Sequence, residues 1–169
     1  GIELKLEDEN MNGNWYLHIR VKDKAGNESY EVSQAFVLDN TPPVIHLIGD
    51  DSLVVEAGEI FNDPGATATD DYDGDLSNEI VVSGTVDMMT LDEYMLSYDV
   101  KDSAGNEANT VTRKVVVKDT QPPIIELNGE AEITLTYGAT FDDPGAKAID
   151  SFEGDVSHLI QVTGTVDPM

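Results

Sequence analysis

The chain contains no cysteine, which excludes disulfides, thiolate nucleophiles and thiolate metal sites. Basic residues are scarce: 9 lysines and arginines stand against 34 aspartates and glutamates, a net charge of -25. Such a surface repels phosphate backbones and anionic membranes, so no nucleic-acid partner is expected. No run of about 18 apolar residues occurs, so direct membrane insertion as a helix is not expected, and the leading GIELKLEDEN reads as neither a basic segment nor a signal peptide. GxSxG, P-loop, GxGxxG and HExxH patterns are all missing.

What the chain does have is self-similarity. FNDPGATATDDYDGDLSNEI (61–80) returns as FDDPGAKAIDSFEGDVSHLI (141–160), SGTVD (83–87) as TGTVD (163–167), and DNTPPVIHL (39–47) as DTQPPIIEL (119–127), all 80 residues apart. VKDKAGNE (21–28) and VKDSAGNE (100–107) recur 79 apart. The period divides the chain into 1–39, the second part of a divergent module, 40–119, one complete module, and 120–169, the first part of another.

Within a module the hydrophobic period is 2. Tyr94, Leu96, Tyr98 and Val100 alternate with Met95, Ser97 and Asp99, and Trp15, Leu17, Ile19 and Val21 alternate with Tyr16, His18 and Arg20. Further strands are expected at Val44 to Ile48, Leu53 to Glu56, Ile80 to Val86 and Thr110 to Lys118, with turns at NDPG, DYDGD and SAGN. About seven short strands with a turn every 8 to 12 residues describe a β-sandwich, so the fold class is all-β. The copies also separate inside from outside: His46 becomes Glu126 while Ile45 and Leu47 stay apolar, which places the histidine on the solvent face. No histidine recurs at its repeat position, which argues against a histidine-based catalytic or zinc site.

The stretch TDDYDGDLS (69–77) raises the question of calcium. An EF-hand needs oxygen ligands at loop positions 1, 3 and 5, glycine at 6 and glutamate at 12. With Gly74 at position 6, position 12 is Ile80, and the EF-hand reading fails. Asp71, Asp73 and Asp75 remain candidate ligands, with Asp150 and Asp155 in the second copy, where Glu153 replaces Asp73 and Ser151 replaces Asp71. Drift of this kind suits either a solvated acidic turn or a loosely specified calcium site completed by water. Asp39 and Asp119 precede diprolines that stiffen the junctions, and they and Asp102 of the KDSAGN turn are further candidate ligands. Paired carboxylates also serve glycoside hydrolysis, but most of the eleven aromatics sit at alternating or turn-anchor positions and supply no sugar platform, so no enzyme is expected.

The ordered motifs DxTPPxIxL, FxDPGAxAxDxxDGDLS, VxGTVD, YxLxYxVxDxAGN and RxVxVxD resemble the bacterial surface immunoglobulin-like repeat, a family also seen in a pesticidal crystal protein. The resemblance implies tandem immunoglobulin-like sandwiches of about 80 residues in an extracellular, cell-surface or secreted stalk or adhesive arm. It also implies calcium between modules as a stiffener, with neighbouring modules of the same parent chain as partners. A toxin-associated module docking a host or cell-surface protein or glycan is an alternative. So is a head-to-tail filament in which the leading strands of one chain complete the trailing sandwich of the next.

Overall fold

The structure, a computed structural model, describes residues 12–167. Alternating side chains and punctuating glycines give fourteen short strands among them: β1 (Gly13–Trp15), β2 (His18–Lys22), β3 (Glu28–Val32), β4 (Phe36–Leu38), β5 (Val44–Leu47), β6 (Ser52–Glu56), β7 (Ala66–Asp70), β8 (Gly74–Asp75), β9 (Val81–Ser83), β10 (Glu93–Asp99), β11 (Val111–Lys118), β12 (Ile124–Leu127), β13 (Ala146–Asp150) and β14 (Gly154–Asp155). Single 3-10 turns at Ser77–Glu79 and Ser157–Leu159 are the helical content of the described residues. No helix among them is long and apolar enough to cross a membrane.

Strands β5, β7 and β8 make a three-stranded antiparallel sheet in which Val44 faces Thr69 and Leu47 faces Ala66. Strands β12, β13 and β14 repeat it, with Ile124 facing Ile149 and Leu127 facing Ala146, the same pairs moved by the 80-residue period. A four-stranded sheet runs in the order β6, β11, β10, β9, and β1 with β4 and β2 with β3 form two-stranded ribbons.

The chain groups into two compact units. One holds the described residues up to Leu53 with Asn62–Val86 and Tyr94–Val115, and the other holds Val54–Phe61, Asp87–Glu93 and the described residues from Val116 onward. In the first unit Ile45, Ala68, Leu96, Tyr98, Val100 and Val115 are buried. In the second the buried apolar residues are Ala57, Val117, Ala148 and Val156.

Leu96, Tyr98 and Val100 face inward as the alternation predicts, and His46 is exposed beside buried Ile45. Leu17, Ile19 and Val21 depart from it, being exposed. The segment expected to be one strand is two: β1 ends at Trp15 and pairs with β4, whereas β2 begins at His18 and pairs with β3. A two-stranded ribbon buries little by itself, so alternation along it does not translate into burial.

One polar group fixes the core of the first unit. Arg113, on β11, is fully buried. Its Nη1 bonds the Asp63 carboxylate and donates to the Tyr98 hydroxyl at 3.2 Å, its Nη2 donates to the carbonyls of Ile48 at 2.6 Å and Gly65 at 3.2 Å, and its Nε donates to the Asp50 carbonyl at 3.0 Å. The guanidinium also lies 5.6 Å from the centroid of the Tyr98 ring, a cation–π distance. A buried cation is tolerated only when its donors are used, and five planar donors allow that here.

Burial, the hydrogen bond to Asp63 and the charge of Asp63 push the Tyr98 hydroxyl up to about 12. A group whose acid form the fold favours contributes stability that is complete below its unfolded value, near 10 for tyrosine, and is lost as pH rises through the folded value. Urea unfolding is therefore expected to show stability falling between about pH 10 and 12, and Tyr98→Phe, though less stable at neutral pH, is expected to lack that component.

Candidate metal centre

Three aspartates converge in the first unit. Asp39 follows β4 and opens the diproline segment, where the Thr41 amide donates to its Oδ1 at 3.0 Å. This is an Asx turn, in which a short carboxylate satisfies the amide two residues on. The segment is seated further by Asn12, whose Oδ1 accepts from the Asn40 amide at 2.7 Å and whose Nδ2 donates to Thr41 Oγ1 at 2.7 Å. Pro43 is buried.

Asp70 ends β7 and is 8% exposed. Its Oδ1 accepts from the amides of Tyr72 at 2.8 Å and Asp73 at 2.9 Å. Asp102, 5% exposed, opens the turn beyond the Lys101 to Glu107 bridge. Its Oδ1 accepts from the Asn106 amide at 2.8 Å and its Oδ2 from Asn106 Nδ2 at 2.7 Å. Gly105, at φ +96, lets this turn close. The Asn106 side-chain amide also donates to the carbonyls of Asp39 at 3.0 Å and Thr41 at 3.5 Å, holding the junction segment against the turn.

Each of the three aspartates offers a carboxylate oxygen, and these oxygens all lie within 4.8 Å of one another. Burial pushes the Asp102 carboxyl up, but the bonds from the Asn106 side chain and from the amides of Asn106, Gly105 and Ala104 outweigh it and hold the carboxyl below its ordinary value. Within this cluster Asp39 Oδ2 and Asp70 Oδ2 are buried with no hydrogen-bond partner. At an effective dielectric near 20, two unit charges about 5 Å apart repel by roughly 3 kcal/mol. Among the described residues no lysine, arginine or histidine is paired with any of the three. The arrangement can take up a hard cation through oxygen ligands.

The sequence candidates divide. Asp39 and Asp102 belong to the group, and Asp71, Asp73 and Asp75 do not. Asp71 is exposed. Asp73 accepts from the Ser103 amide at 2.6 Å and the Ser103 hydroxyl at 2.9 Å. Asp75 Oδ1 accepts from the Ser77 hydroxyl at 2.6 Å and amide at 2.9 Å, which keep its carboxyl low. Asp155 accepts from Ser157 in the same way, and its carboxyl is likewise lowered, first by the Ser157 side chain. Asp75 and Asp155 thus shape their own turns, and Asp73 ties its loop to the turn that Asp102 opens.

The loop's contribution is Asp70, which sequence reasoning passed over. The signal was present: Asp70 recurs as Asp150, whereas Asp71 is replaced by Ser151. In the second unit Asp150, 5% exposed, accepts from the amides of Phe152 and Glu153 at 2.8 and 2.9 Å, and Asp119 Oδ1 accepts from the Gln121 amide at 3.2 Å. Asp119 and Asp150 thus reproduce the local bonds of Asp39 and Asp70. In the first unit Asp23 and Asn27 reproduce the Asp102 turn, with the Asn27 amide and Nδ2 donating to Asp23 at 2.8 and 2.7 Å.

Residues 45–117 and 125–169 match the family described as bacterial surface protein, Ig-like domain, and residues 8–40 match a bacterial Ig-like domain. An outer cell wall protein of Brevibacillus brevis is 31% identical over 110 residues, which cover 54% of this chain and 11% of that protein. The chain therefore spans about a ninth of the length of that relative. A crystal structure of a lipoprotein from Bacteroides thetaiotaomicron shares 30% identity, covering 47% of this chain and 39% of the other at a TM-score of 0.42.

Proposed function

Because the chain belongs to the bacterial surface Ig-like domain family, we propose that it acts as a non-catalytic spacer in a tandem array, with modules at 1–39, 40–119 and 120–169 and rigid junctions between them. The family and the outer cell wall relative support a structural module at the cell surface or outside the cell. The finer part of the proposal is that the array extends an adhesive end away from the cell, that neighbouring modules of the parent chain are its partners, and that calcium stiffens the junctions.

The observation that carries this reading is the Asn106 clamp. One side-chain amide holds Asp102 and the two carbonyls that flank Asn40, so the segment before the diproline is bonded to the module it introduces. Proline fixes φ and removes amide donors, which limits bending beyond the clamp. Asp75 of the 69–77 loop is occupied by Ser77 and Asp73 by Ser103, so neither carboxylate is without a partner.

Backbone relaxation measured without added metal tests the spacer reading. In the native chain the amides of Asn40 and Thr41 are expected to have order parameters near 0.85, falling below about 0.6 in Asn106→Ala. Equal mobility in both, or a mobile segment in the native chain, would overturn it.

A further inference from the structure

We propose that Asp39, Asp70 and Asp102 form a calcium site that adds to the stability of the seated junction segment, an inference that rests on the spacer reading above. Two independent observations carry it. The carboxylate oxygens of the three residues lie within 4.8 Å of one another. Two of those carboxylates, Asp39 and Asp70, also bury an Oδ2 that nothing in the protein satisfies. Buried carboxylate oxygens are normally hydrogen-bonded, and an orphan costs its full desolvation.

The local bonding prepares the ligands. The Thr41 amide occupies Asp39 Oδ1, and the Tyr72 and Asp73 amides occupy Asp70 Oδ1, so each carboxylate is oriented while its Oδ2 remains open. Asp102 gives both oxygens to Asn106, but a carboxylate has about four lone-pair sites, and capacity remains there.

The donor set selects the ion. All-oxygen anionic ligands suit calcium or magnesium rather than softer transition metals. Calcium binds oxygen at about 2.3 to 2.6 Å, so ligands on opposite sides of it stand about 4.8 Å apart, whereas magnesium at about 2.1 Å spans only about 4.2 Å. Oxygens gathered within 4.8 Å of one another suit calcium, whose flexible shell of six to eight oxygen ligands does not demand the near-octahedral geometry that magnesium does. Three carboxylates supply half or fewer of the six to eight ligands calcium takes, and water and carbonyl oxygens would complete the shell.

The consequence is added stability of the seated segment. Asp39 belongs to the junction segment, while Asp70 and Asp102 belong to the end of β7 and the turn after β10. An ion that needs all three binds the seated segment and not the released one. By linkage, the factor by which calcium favours seating is the factor by which seating favours calcium.

The test is a calcium titration of the intact chain after chelation, followed by amide chemical shifts and by calorimetry, with magnesium as the second ion. Saturable shifts are expected at Thr41, Tyr72, Asp73 and Asn106, with magnesium at least tenfold weaker. Asp70→Asn preserves an oxygen acceptor for the turn and is expected to weaken calcium at these amides at least tenfold, as is Asp102→Asn, while Asp71→Asn stays within twofold. Three results would each overturn the site: no saturable response in the native chain, an unchanged response in Asp70→Asn and Asp102→Asn, or equal losses in Asp71→Asn, the last marking diffuse attraction to an acidic surface. The metal-free relaxation comparison with Asn106→Ala keeps the two ideas apart, because a rigid native segment that ignores calcium leaves the spacer reading intact and removes only the ion.

Discussion

Arg113→Ala is expected to lower the unfolding free energy of its module by about 3–5 kcal/mol, the range for removing one partner of a buried ion pair. The guanidinium satisfies the carbonyls of Ile48, Asp50 and Gly65 and bonds Asp63 and Tyr98. Truncation leaves all of them facing a cavity on the inner side of β11. For a module of this size each kcal/mol moves the midpoint by roughly 4–8 °C, so thermal unfolding is expected at least about 12 °C earlier. Arg113→Lys keeps the charge but not the fork, and belongs between the two. A loss below about 1 kcal/mol in urea would mean that water replaces the guanidinium at little cost.

Acid reaches the same network from the other side. Burial pushes the Asp63 carboxyl up, but bonds from the Tyr98 hydroxyl, the Gly65 amide and Arg113, with the Arg113 charge, outweigh it and hold the carboxyl below its ordinary value. A depressed carboxyl contributes stability that is complete above its unfolded value, near 4, and is lost as pH falls through the folded one. Together with Tyr98 this gives the network an acid limit as well as an alkaline one.

The second large effect is expected at Gly84, directly after β9. Its φ is +99, and a Cβ placed there would lie 2.3 Å from the Met95 carbonyl oxygen, on the backbone of β10. Backbone cannot swing aside as a side chain can, so Gly84→Ala must combine a left-handed penalty of about 1–3 kcal/mol with a displaced β9. We expect a total of roughly 3 kcal/mol or more. Gly74→Ala is the control, since φ there is +77 with nothing within 4 Å of the new Cβ. It is expected to cost only the conformational part, about 1–2 kcal/mol. Equal urea midpoints for the two variants would show that the β9 and β10 register yields easily.

The same glycine explains one limit of sequence reading. Ile80 to Val86 reads as one strand, yet pairing stops at Ser83, because a residue at positive φ ends the pleat. Ala66–Asp70 escaped notice because its inward positions are Ala68 and Asp70, neither a strand former, although the burial along it alternates as in any half-buried strand. The inward faces of β5 and β10 were legible because their apolar residues are large and regularly spaced. At the carboxylate cluster, composition drew attention to the densest acidic stretch, whereas selection of Asp39, Asp70 and Asp102 depends on where a turn and a strand end come together, and spacing does not encode that. Comparison of the two copies came nearer, since it separates Asp70, which recurs, from Asp71, which does not.

The Asp102 turn draws its bonds from residues only four positions away, and the Asp23 turn does the same. The receiving half of a junction is therefore in shape whatever segment precedes it, and the segment bearing Asp39 or Asp119 carries its own Asx turn. Both halves lie within one 80-residue period of the gene. Duplication or loss of a period adds or deletes both halves together without any matching change elsewhere, so recombination alone is enough to change the number of repeats.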